Sequence, residues 1–215
     1  PTDPHPKYKP KSALEVILST LHSGGKFSDK VYQTAGGLHG VGISVVNALS
    51  DSLVVEVARD RQLWRQEYSR GEAKTKLLDM GKVANRRGTT IACHPDPEIF
   101  GAGARFLPSR LYRMARSKAY LFRGVKIHWR CAESLITGKD QTPSEAVLHF
   151  PNGLADFLAA SLGDGPTVTP QAFSGRADLT EAKGEVEWAM HWPVETDGFL
   201  HSYCNTVPTT EGGSH

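Results

Sequence analysis

The chain has 215 residues, of which 39% are hydrophobic and 22% are charged, a composition typical of a soluble globular protein with one full domain and part of a second. No stretch approaches the ~18–20 apolar residues that a membrane span requires, and no apolar segment near the start predicts a secretory signal. The formal net charge of +2 does not by itself indicate a nucleic-acid-binding protein. Three scattered cysteines without a CxxC pair favour reduced thiols, a cytoplasmic location and no structural zinc site.

The first eleven residues are rich in proline and predict a loop, because proline disrupts helices. This start, which lacks an initiator methionine, leads us to expect a piece of a longer protein. Ser12 and Glu15 then form an S-x-x-E capping box, which predicts the first helix. Its apolar face has four residues at helical spacing: Leu14, Ile17, Leu18 and Leu21. Gly24 and Gly25 predict its end.

Residues 24–42 form a long segment rich in glycine, which is typical of a functional lid or a disordered segment. The following sequence ISVVNALS predicts a second helix with Ile43, Val46 and Leu49 on one face. The segments LVVEVARD and LWRQEYSR then predict a hairpin that turns at Asp60-Arg61.

Further strands and one helix are predicted downstream. The strand GTTIACHP places Thr89, Ile91 and Cys93 on one face, and VKIHWR and AVLHF predict two more strands. Residues 108–120 predict a helix. Five basic residues lie in or beside it: Arg110, Arg113, Arg116, Lys118 and Arg123. Their spacing favours a solvated helix face over a nucleic-acid-binding surface.

A new unit is predicted to begin near Pro151, which divides the chain into residues 1–150 and 151–215. Asn152 is suited to cap a helix that carries Leu154 and Leu162. After a linker, GEVEWAMHW alternates as a strand does, and Thr196-Asp197-Gly198 predicts a turn that pairs it with FLHSYCNTV.

The most informative segment for function is QTAGGLHGVGISVVNAL, residues 33–49. Four glycines, Gly36, Gly37, Gly40 and Gly42, directly precede the second helix. Glycine lets backbone amides approach a ligand closely, and a helix start adds about half a positive charge and unpaired donors. The pattern therefore favours a polyphosphate site. It is neither a Walker A loop nor a Rossmann fingerprint, and the alternative is a glycine-rich turn that only connects elements.

The wider string resembles one enzyme family. GGKF followed by GGLHGVGISVVNALS is similar to the B subunits of bacterial type IIA DNA topoisomerases, the gyrase B and topoisomerase IV B family, which are GHKL ATPases. Further similar strings are SALEVILSTLHSGGKF, RRGTTIACHPDPEIF, SKAYLFRGVKI and YCNTVPTTEGGSH. The strings RSKAYLFRGVKI and HSYCNTVP favour the topoisomerase IV branch, with gyrase B as the alternative. The sequence also leaves open a GHKL protein that binds nucleotide only as a switch and an unrelated protein with an anion-binding loop.

The resemblance implies an α+β fold. It is the GHKL or Bergerat two-layer α/β sandwich with a mixed, mostly antiparallel sheet in residues 1–150. The beginning of a transducer domain would follow in residues 151–215.

The resemblance also implies roles for particular residues. Lys26 opens the ATP lid after Gly24 and Gly25, and Tyr32 and Gln33 lie near the phosphates. The triphosphate is wrapped by the backbone of six residues: Gly37, Leu38, His39, Gly40, Val41 and Gly42. Thr89 lies at the adenine end of the pocket. The open alternatives are a solvated loop lysine for Lys26, a packing role for His39 and simple β-propensity for Thr89.

Arg59 resembles the arginine that aminocoumarin antibiotics contact in this family, and its alternative is a hairpin-turn surface charge. ATP and Mg²⁺ are the implied cofactors. The implied partners are the topoisomerase A subunit in a heterotetramer, a second B subunit on ATP binding, and DNA through the assembled enzyme. The family's catalytic glutamate, magnesium-binding asparagine, adenine-binding aspartate and γ-phosphate lysine match no position here, so we nominate no catalytic residue and expect no ATP turnover from the chain alone.

Overall fold

The computed structural model describes residues 2–23, 40–137, 141–179, 184–195 and 197–209. The chain forms two compact units, Pro1–Arg105 and Phe106–His215. The functional division predicted between residues 150 and 151 stays a prediction. All three cysteines, Cys93, Cys131 and Cys204, are free thiols.

The first unit packs helices against an antiparallel sheet. Its elements are α1 (Ala13–Ser19), α2 (Gly42–Ala48), β1 (Ser50–Arg59), β2 (Gln62–Ser69), β3 (Glu72–Ala73), β4 (Leu78–Lys82), β5 (Gly88–Pro95) and α3 (Pro97–Phe100). The strand order is β3-β2-β1-β5, and β4 also pairs with β2. β1 therefore lies inside the sheet with a partner on each side, and the expected α+β class with antiparallel pairing is confirmed.

The hairpin predicted at Asp60-Arg61 is confirmed. β1 and β2 pair antiparallel from Leu53 opposite Tyr68 to Arg59 opposite Gln62. Asp60 and Arg61 have φ values of 54° and 62°. Positive φ at both turn residues matches the twist of the flanking strands, so the two-residue loop fixes the register.

The core of this unit lies between β1 and α1. Six buried residues form it, Leu14, Leu18, Leu53, Val55, Val57 and Tyr68, with Ile43, Trp64 and Leu77 packed against them. Ser12 caps α1 as predicted, because its Oγ accepts a hydrogen bond of 3.1 Å from the Glu15 amide. The Glu15 carboxylate contacts Lys11 and the Gln66 amide.

The predicted end and face of α1 were partly wrong. The helix ends at Ser19, and Leu21 is 58% exposed, whereas Val16 is fully buried. Thr20 adopts an extended conformation, and the Ser23 hydroxyl lies 3.1 Å from the Val16 carbonyl and 2.6 Å from the Thr20 carbonyl. This local bonding stops the helix before the glycines.

The predicted apolar face of α2 was partly wrong, because Ile43 packs against the core as predicted but Val46 is exposed. Its buried residues are Ser44 and Asn47, while Val45 and Val46 are 41% and 39% exposed. The side chain of Asn47 donates a hydrogen bond of 3.0 Å to the Leu18 carbonyl in α1. A specific polar contact with α1 therefore adds to the packing of Ile43 in setting the rotation of α2.

The second unit contains short two-stranded sheets. Its elements are α4 (Pro108–Leu121), β6 (Lys126–Arg130), a 3₁₀ turn (Glu133–Leu135), β7 (Glu145–His149), α5 (Leu154–Leu162), β8 (Phe173–Leu179), β9 (Gly184–Met190), β10 (Tyr203–Cys204) and β11 (Val207–Pro208). The predicted helix 108–120 and the strands in VKIHWR and AVLHF are confirmed. Tyr112 of α4 packs edge-on against Trp129 of β6 at 5.4 Å.

The pairing of β9 differs from the prediction. β9 pairs with β8, a strand that the sequence did not predict, and Tyr203–Cys204 pairs with Val207–Pro208. Trp188 lies across from Gly175, where an added Cβ would be 2.4 Å from the indole. The indole ring occupies the space that a side chain at position 175 would fill. The sequence FSGRADL has no local pattern that predicts this contact.

Asn152 does not cap α5. The cap position is Gly153, with φ of 62°, and the amide and side chain of Asn152 bond to the Asp156 carboxylate instead. The Glu187 carboxylate accepts from the Leu154 amide at 3.1 Å and from Arg123 at 2.8 Å. An acidic side chain from β9 thus satisfies a donor at the start of α5.

Gly153→Ala should lower the free energy of unfolding by about 2 kcal/mol, because a side chain at positive φ is strained and disturbs the Glu187 contacts. An added Cβ would lie 2.6 Å from Glu187 Oε1 and 2.8 Å from Arg123 Nε. Urea denaturation of the 215-residue chain measures the change. Gly198→Ala is the matched control, since its Cβ would meet no heavy atom within 4 Å. Equal midpoints for the two variants would contradict the prediction.

Candidate functional site

Four of the ten residues predicted to bind nucleotide lie in the described part of the chain, namely Gly40, Val41, Gly42 and Thr89. The other six lie outside the described residues: Lys26, Tyr32, Gln33, Gly37, Leu38 and His39. The geometry of the candidate site therefore comes from the start of α2 and from β5.

The start of α2 has a backbone suited to close approach by a ligand. Gly40 has φ of 61°, a left-handed conformation that glycine adopts without strain. Val41 occupies the cap position without a side-chain hydrogen bond. A Cβ atom added to Gly42, the first helical residue, would meet no heavy atom of the described residues within 4 Å. Amides in the first turn of a helix lack intrahelical acceptors, so those beside this open space can receive a phosphate group.

Thr89 lies on the same side of the sheet as α2. It stands directly opposite Val57 of β1 in the antiparallel register, and directly paired residues share a face. Val57 is 3% exposed and belongs to the core beneath α1, against which Ile43 of α2 also packs. Because both Thr89 and α2 lie on the core side of the sheet, the structure brings these two parts of the site to one face. No hydrogen bond joins Thr89 to residues 40–42 within the described segments.

Thr89, Ile91 and Cys93 point the same way, as predicted. They pair with Val57, Val55 and Leu53, which all face the core. The three residues are nevertheless exposed, and Ile91 keeps 43% of its surface accessible. The face of β5 that continues the core is therefore open to a ligand or to further chain.

The opposite face of the sheet holds the start of β5 through charge. Arg86 Nη2 lies 2.6 Å from Glu56 Oε2 and 3.1 Å from Thr90 Oγ1, and Arg65 Nη1 lies 3.2 Å from Glu56 Oε1. The hydrogen bond from Arg86, assisted by both positive charges and opposed by partial burial, lowers the pKa of Glu56. These bonds anchor the residue next to Thr89.

Arg59 lies at the end of β1, where the hairpin turns. Its Nε is 3.2 Å from the Asp60 carboxylate, and its Nη1 is 3.8 Å from the Asp3 carboxylate. The side chain is 52% exposed. Such surface pairs contribute about 0–1 kcal/mol, so they do not prevent the guanidinium from contacting a ligand.

The basic residues near α4 are not simply a solvated face. Arg116 lies 5.1 Å from the Phe157 ring centre, Lys118 donates to the Thr206 carbonyl at 2.7 Å, and Arg123 pairs with Glu187. Arg110 and Arg113 are exposed. The prediction of a solvated face was wrong for Arg116 and Lys118, which are half-buried against partners in the second unit, whereas Arg110, Arg113 and Arg123 are exposed as predicted.

A cavity of about 470 Å³ lies in the second unit, apart from the predicted nucleotide residues. Its lining is Arg123, Asn152, Ala155, Asp156, Ser174, Gly175, Arg176, Glu187 and Trp188. Two arginines and two carboxylates give it no dominant charge. The cavity therefore does not match a polyphosphate, and we base the candidate site on α2 and β5.

The described residues contain no group of three or more His, Cys, Asp and Glu side chains that could hold a metal ion. Within the same residues, no helix has the length and apolar character to span a membrane.

Ser44 and Asn47 are residues of the site region that sequence reasoning missed. Both are buried beside the glycine turn, and the Ser44 hydroxyl donates to the Val41 carbonyl at 3.0 Å. The available signal was a pair of polar residues at i and i+3 in a helix otherwise rich in valine.

Comparison with known sequences supports the resemblance along the whole chain. The B subunit of DNA topoisomerase 4 from Caulobacter vibrioides is 56% identical over 219 aligned positions, which cover 100% of this chain and 31% of that protein. The corresponding protein of Bartonella bacilliformis is 52% identical over 215 positions, with the same coverage. The chain thus spans about a third of the length of these relatives. The family model for DNA gyrase B matches residues 153–215.

A solved structure matches the fold. The 43K ATPase domain of Thermus thermophilus gyrase B, crystallised in complex with an aminocoumarin, has a TM-score of 0.72 and 32% sequence identity. The match covers 97% of this chain and 50% of that chain. With similarity of this degree along its whole length, the chain belongs to the B subunits of bacterial type IIA DNA topoisomerases and corresponds to the ATPase-domain region of the topoisomerase IV B subunit.

Proposed function

We propose that the B subunit containing this chain binds and hydrolyses ATP and couples that reaction to the passage of one DNA segment through another. The observation that carries the proposal is 56% identity to a topoisomerase IV B subunit across all 215 residues. The bare glycine backbone at the start of α2 supports it, because a Cβ atom on Gly42 would meet no described residue within 4 Å and Gly40 has the conformation that favours glycine.

The residues of the chain fit a nucleotide in two places. We propose that amides of Gly37–Gly42 surround the phosphates and that Thr89 on β5 lies at the adenine end. Lys26, Tyr32 and Gln33 would complete the lid over the phosphates. Bound ATP supplies a phosphoryl group that is transferred to water. The chain binds and orients the nucleotide, and we assign no general base to any of its residues.

We also propose a domain assignment for each part of the chain. Residues 1–150 would be part of a GHKL domain, a two-layer sandwich with a mixed sheet, and residues 151–215 would begin a transducer domain. The antiparallel sheet under α1 and α2 supports the first assignment, and the family match over residues 153–215 supports the second. The transducer would relay the nucleotide state to the DNA gate.

We propose Mg²⁺ as the companion ion of ATP, and we place no Mg²⁺ ligand among the described residues. The proposed partners are the A subunit, which would cleave DNA in a heterotetramer, and a second B subunit, which would dimerise with the first when ATP binds. Similarity to B subunits of topoisomerase IV supports these partners. An enzyme that acts on the bacterial chromosome would work in the cytoplasm.

Gly42→Val in the full-length B subunit should abolish ATP binding. The isopropyl group would enter the open space beside the first helical turn, where the fold has room for it, and would keep phosphates from the amides. Isothermal titration with a non-hydrolysable ATP analogue measures the affinity. Gly103→Val is the control, because an added Cβ there also meets nothing within 4 Å. Unchanged affinity in Gly42→Val would rule the proposed phosphate site out.

The purified 215-residue chain should release no phosphate from ATP above a protein-free blank. Hydrolysis requires a base within hydrogen-bond reach of the attacking water, and we assign none to this chain. A coupled phosphate assay with ATP and Mg²⁺ measures turnover, with the full-length protein as the positive control. Reproducible turnover that co-purifies with the chain would show that it contains a base.

Arg59→Leu in the full-length protein should weaken aminocoumarin binding at least tenfold and leave ATP affinity within twofold. The half-exposed guanidinium at the end of β1 is free to bond a ligand at modest cost, since its two ion pairs are surface contacts. Calorimetry with an aminocoumarin measures the first effect. Lys82→Leu, an exposed cation on β4, is the control. Equal inhibitor affinity in both variants would assign Arg59 to the surface alone.

A further inference from the structure

We propose that Asn47 is a positioning residue, which holds α2, and with it Gly40–Gly42, in register with the end of α1. The inference rests on the nucleotide-binding function proposed above and adds a residue that does not itself contact the nucleotide. In α2, a polar side chain is buried where apolar side chains are exposed. Asn47 is fully buried, whereas its neighbours Val45 and Val46 are 41% and 39% exposed. Burying an amide is costly unless it is hydrogen-bonded, so its contacts must account for its place.

The side chain of Asn47 closes the end of α1. Its Nδ2 donates to the Leu18 carbonyl at 3.0 Å, and the two residues are 29 positions apart. Leu18 lies in the last turn of α1, where carbonyl groups lack intrahelical donors. One amide therefore satisfies an acceptor of α1 and sets the rotation and height of α2 beside it.

The main chain of Asn47 joins α2 to the sheet as well. Its carbonyl accepts from the Gly71 amide at 3.2 Å, in the turn between β2 and β3. A Cβ atom on Gly71 would already lie 3.6 Å from the Cα atom of Ala48, so the turn and the helix are in close approach. Asn47 thus connects the second half of α2 both to α1, through its side chain, and to the turn between β2 and β3, through its carbonyl.

The first half of α2 packs against the core through Ile43 but has fewer hydrogen bonds to other elements. Val41 makes no side-chain cap, and among the described residues the Ser44 hydroxyl bonds only back to the Val41 carbonyl within the same turn. Gly42 lies five residues, or about 7.5 Å of helix axis, from Asn47. A helix of two turns moves as one body, so a shift at Asn47 displaces the glycine amides. Displacements of about 1 Å are sufficient to weaken interactions that depend on orientation.

The side-chain oxygen of Asn47, Oδ1, allows its positioning role to be separated from its effect on stability. Its Oδ1 is buried and has no partner within the described part of the chain. Replacing Asn47 by leucine, which has a similar size, removes this unpaired acceptor together with the donor. Removal of the unpaired Oδ1 favours the fold, whereas the Leu18 carbonyl left without its donor disfavours it by a comparable amount, so the two effects on stability largely offset each other. Stability and nucleotide affinity should therefore respond differently to the substitution.

The experiment compares Asn47→Leu and Asn47→Ser in the full-length B subunit, because a serine hydroxyl is too short to reach the Leu18 carbonyl. Asn152→Leu is the matched control, an exposed asparagine of the second unit. Calorimetry gives the Kd for a non-hydrolysable ATP analogue, urea denaturation gives the midpoint, and steady-state assays give kcat and KM. Hydrogen exchange follows the amides of residues 40–44.

The expected result is a Kd and a KM raised at least tenfold in both Asn47 variants, with kcat at saturating ATP within twofold and an unchanged midpoint for Asn47→Leu. Exchange should accelerate at residues 40–44 and stay unchanged in β1. The control should match the parent in Kd, KM, kcat and the exchange of residues 40–44.

A Kd within twofold of the parent in either folded Asn47 variant would overturn the inference. Loss of affinity only in step with a lowered midpoint in both variants would also overturn it, since Asn47 would then serve the fold alone. The proposed function fails separately, if the unmodified full-length protein does not bind nucleotide or if Gly42→Val binds it normally.

Discussion

The buried face of β1 is the constraint from which the first unit takes its arrangement. Leu53 and Val55 are completely buried, and Val57 is 3% exposed. Burying each such side chain contributes about 1.5–3 kcal/mol relative to exposure. A slip of one residue would turn this face to solvent, so the register with β2 and β5 is fixed. Thr89 and α2 reach the same side of the sheet as a consequence of that register.

Turn residues and helix-start residues predicted the elements that depend on neighbouring residues in the chain. The turn at Asp60-Arg61 lies between two alternating runs, and the hairpin followed from it. Pro108 occupies the first position of α4, where proline is suited to begin a helix, so that helix was predicted to within one residue. The pairing of β8 with β9 was not predictable in this way, because it depends on Trp188 lying across Gly175 from another strand.

In the candidate site, too, features set by the local sequence were predictable and features set by distant residues were not. Glycine at position 40, with φ of 61°, marks a backbone requirement that the sequence alone displays directly. The buried side of α2 could not be deduced, because helical periodicity assigns apolar residues to the core. Asn47 is buried because a carbonyl of α1 needs a donor, and the partner lies 29 residues away. Polar burial is therefore a property of the folded pair of helices and not of either segment.

Glu187 has a practical bearing on how the molecule is divided for study. Its carboxylate bonds both the Leu154 amide and Arg123, so one acidic group on β9 joins the start of α5 to the turn after α4. A recombinant piece that stopped at residue 150 would leave the Arg123 guanidinium without its counter-ion and expose the Tyr120 ring that now stacks on Phe157. Truncation near residue 105, where the first compact unit ends, preserves these contacts within a single expressed piece.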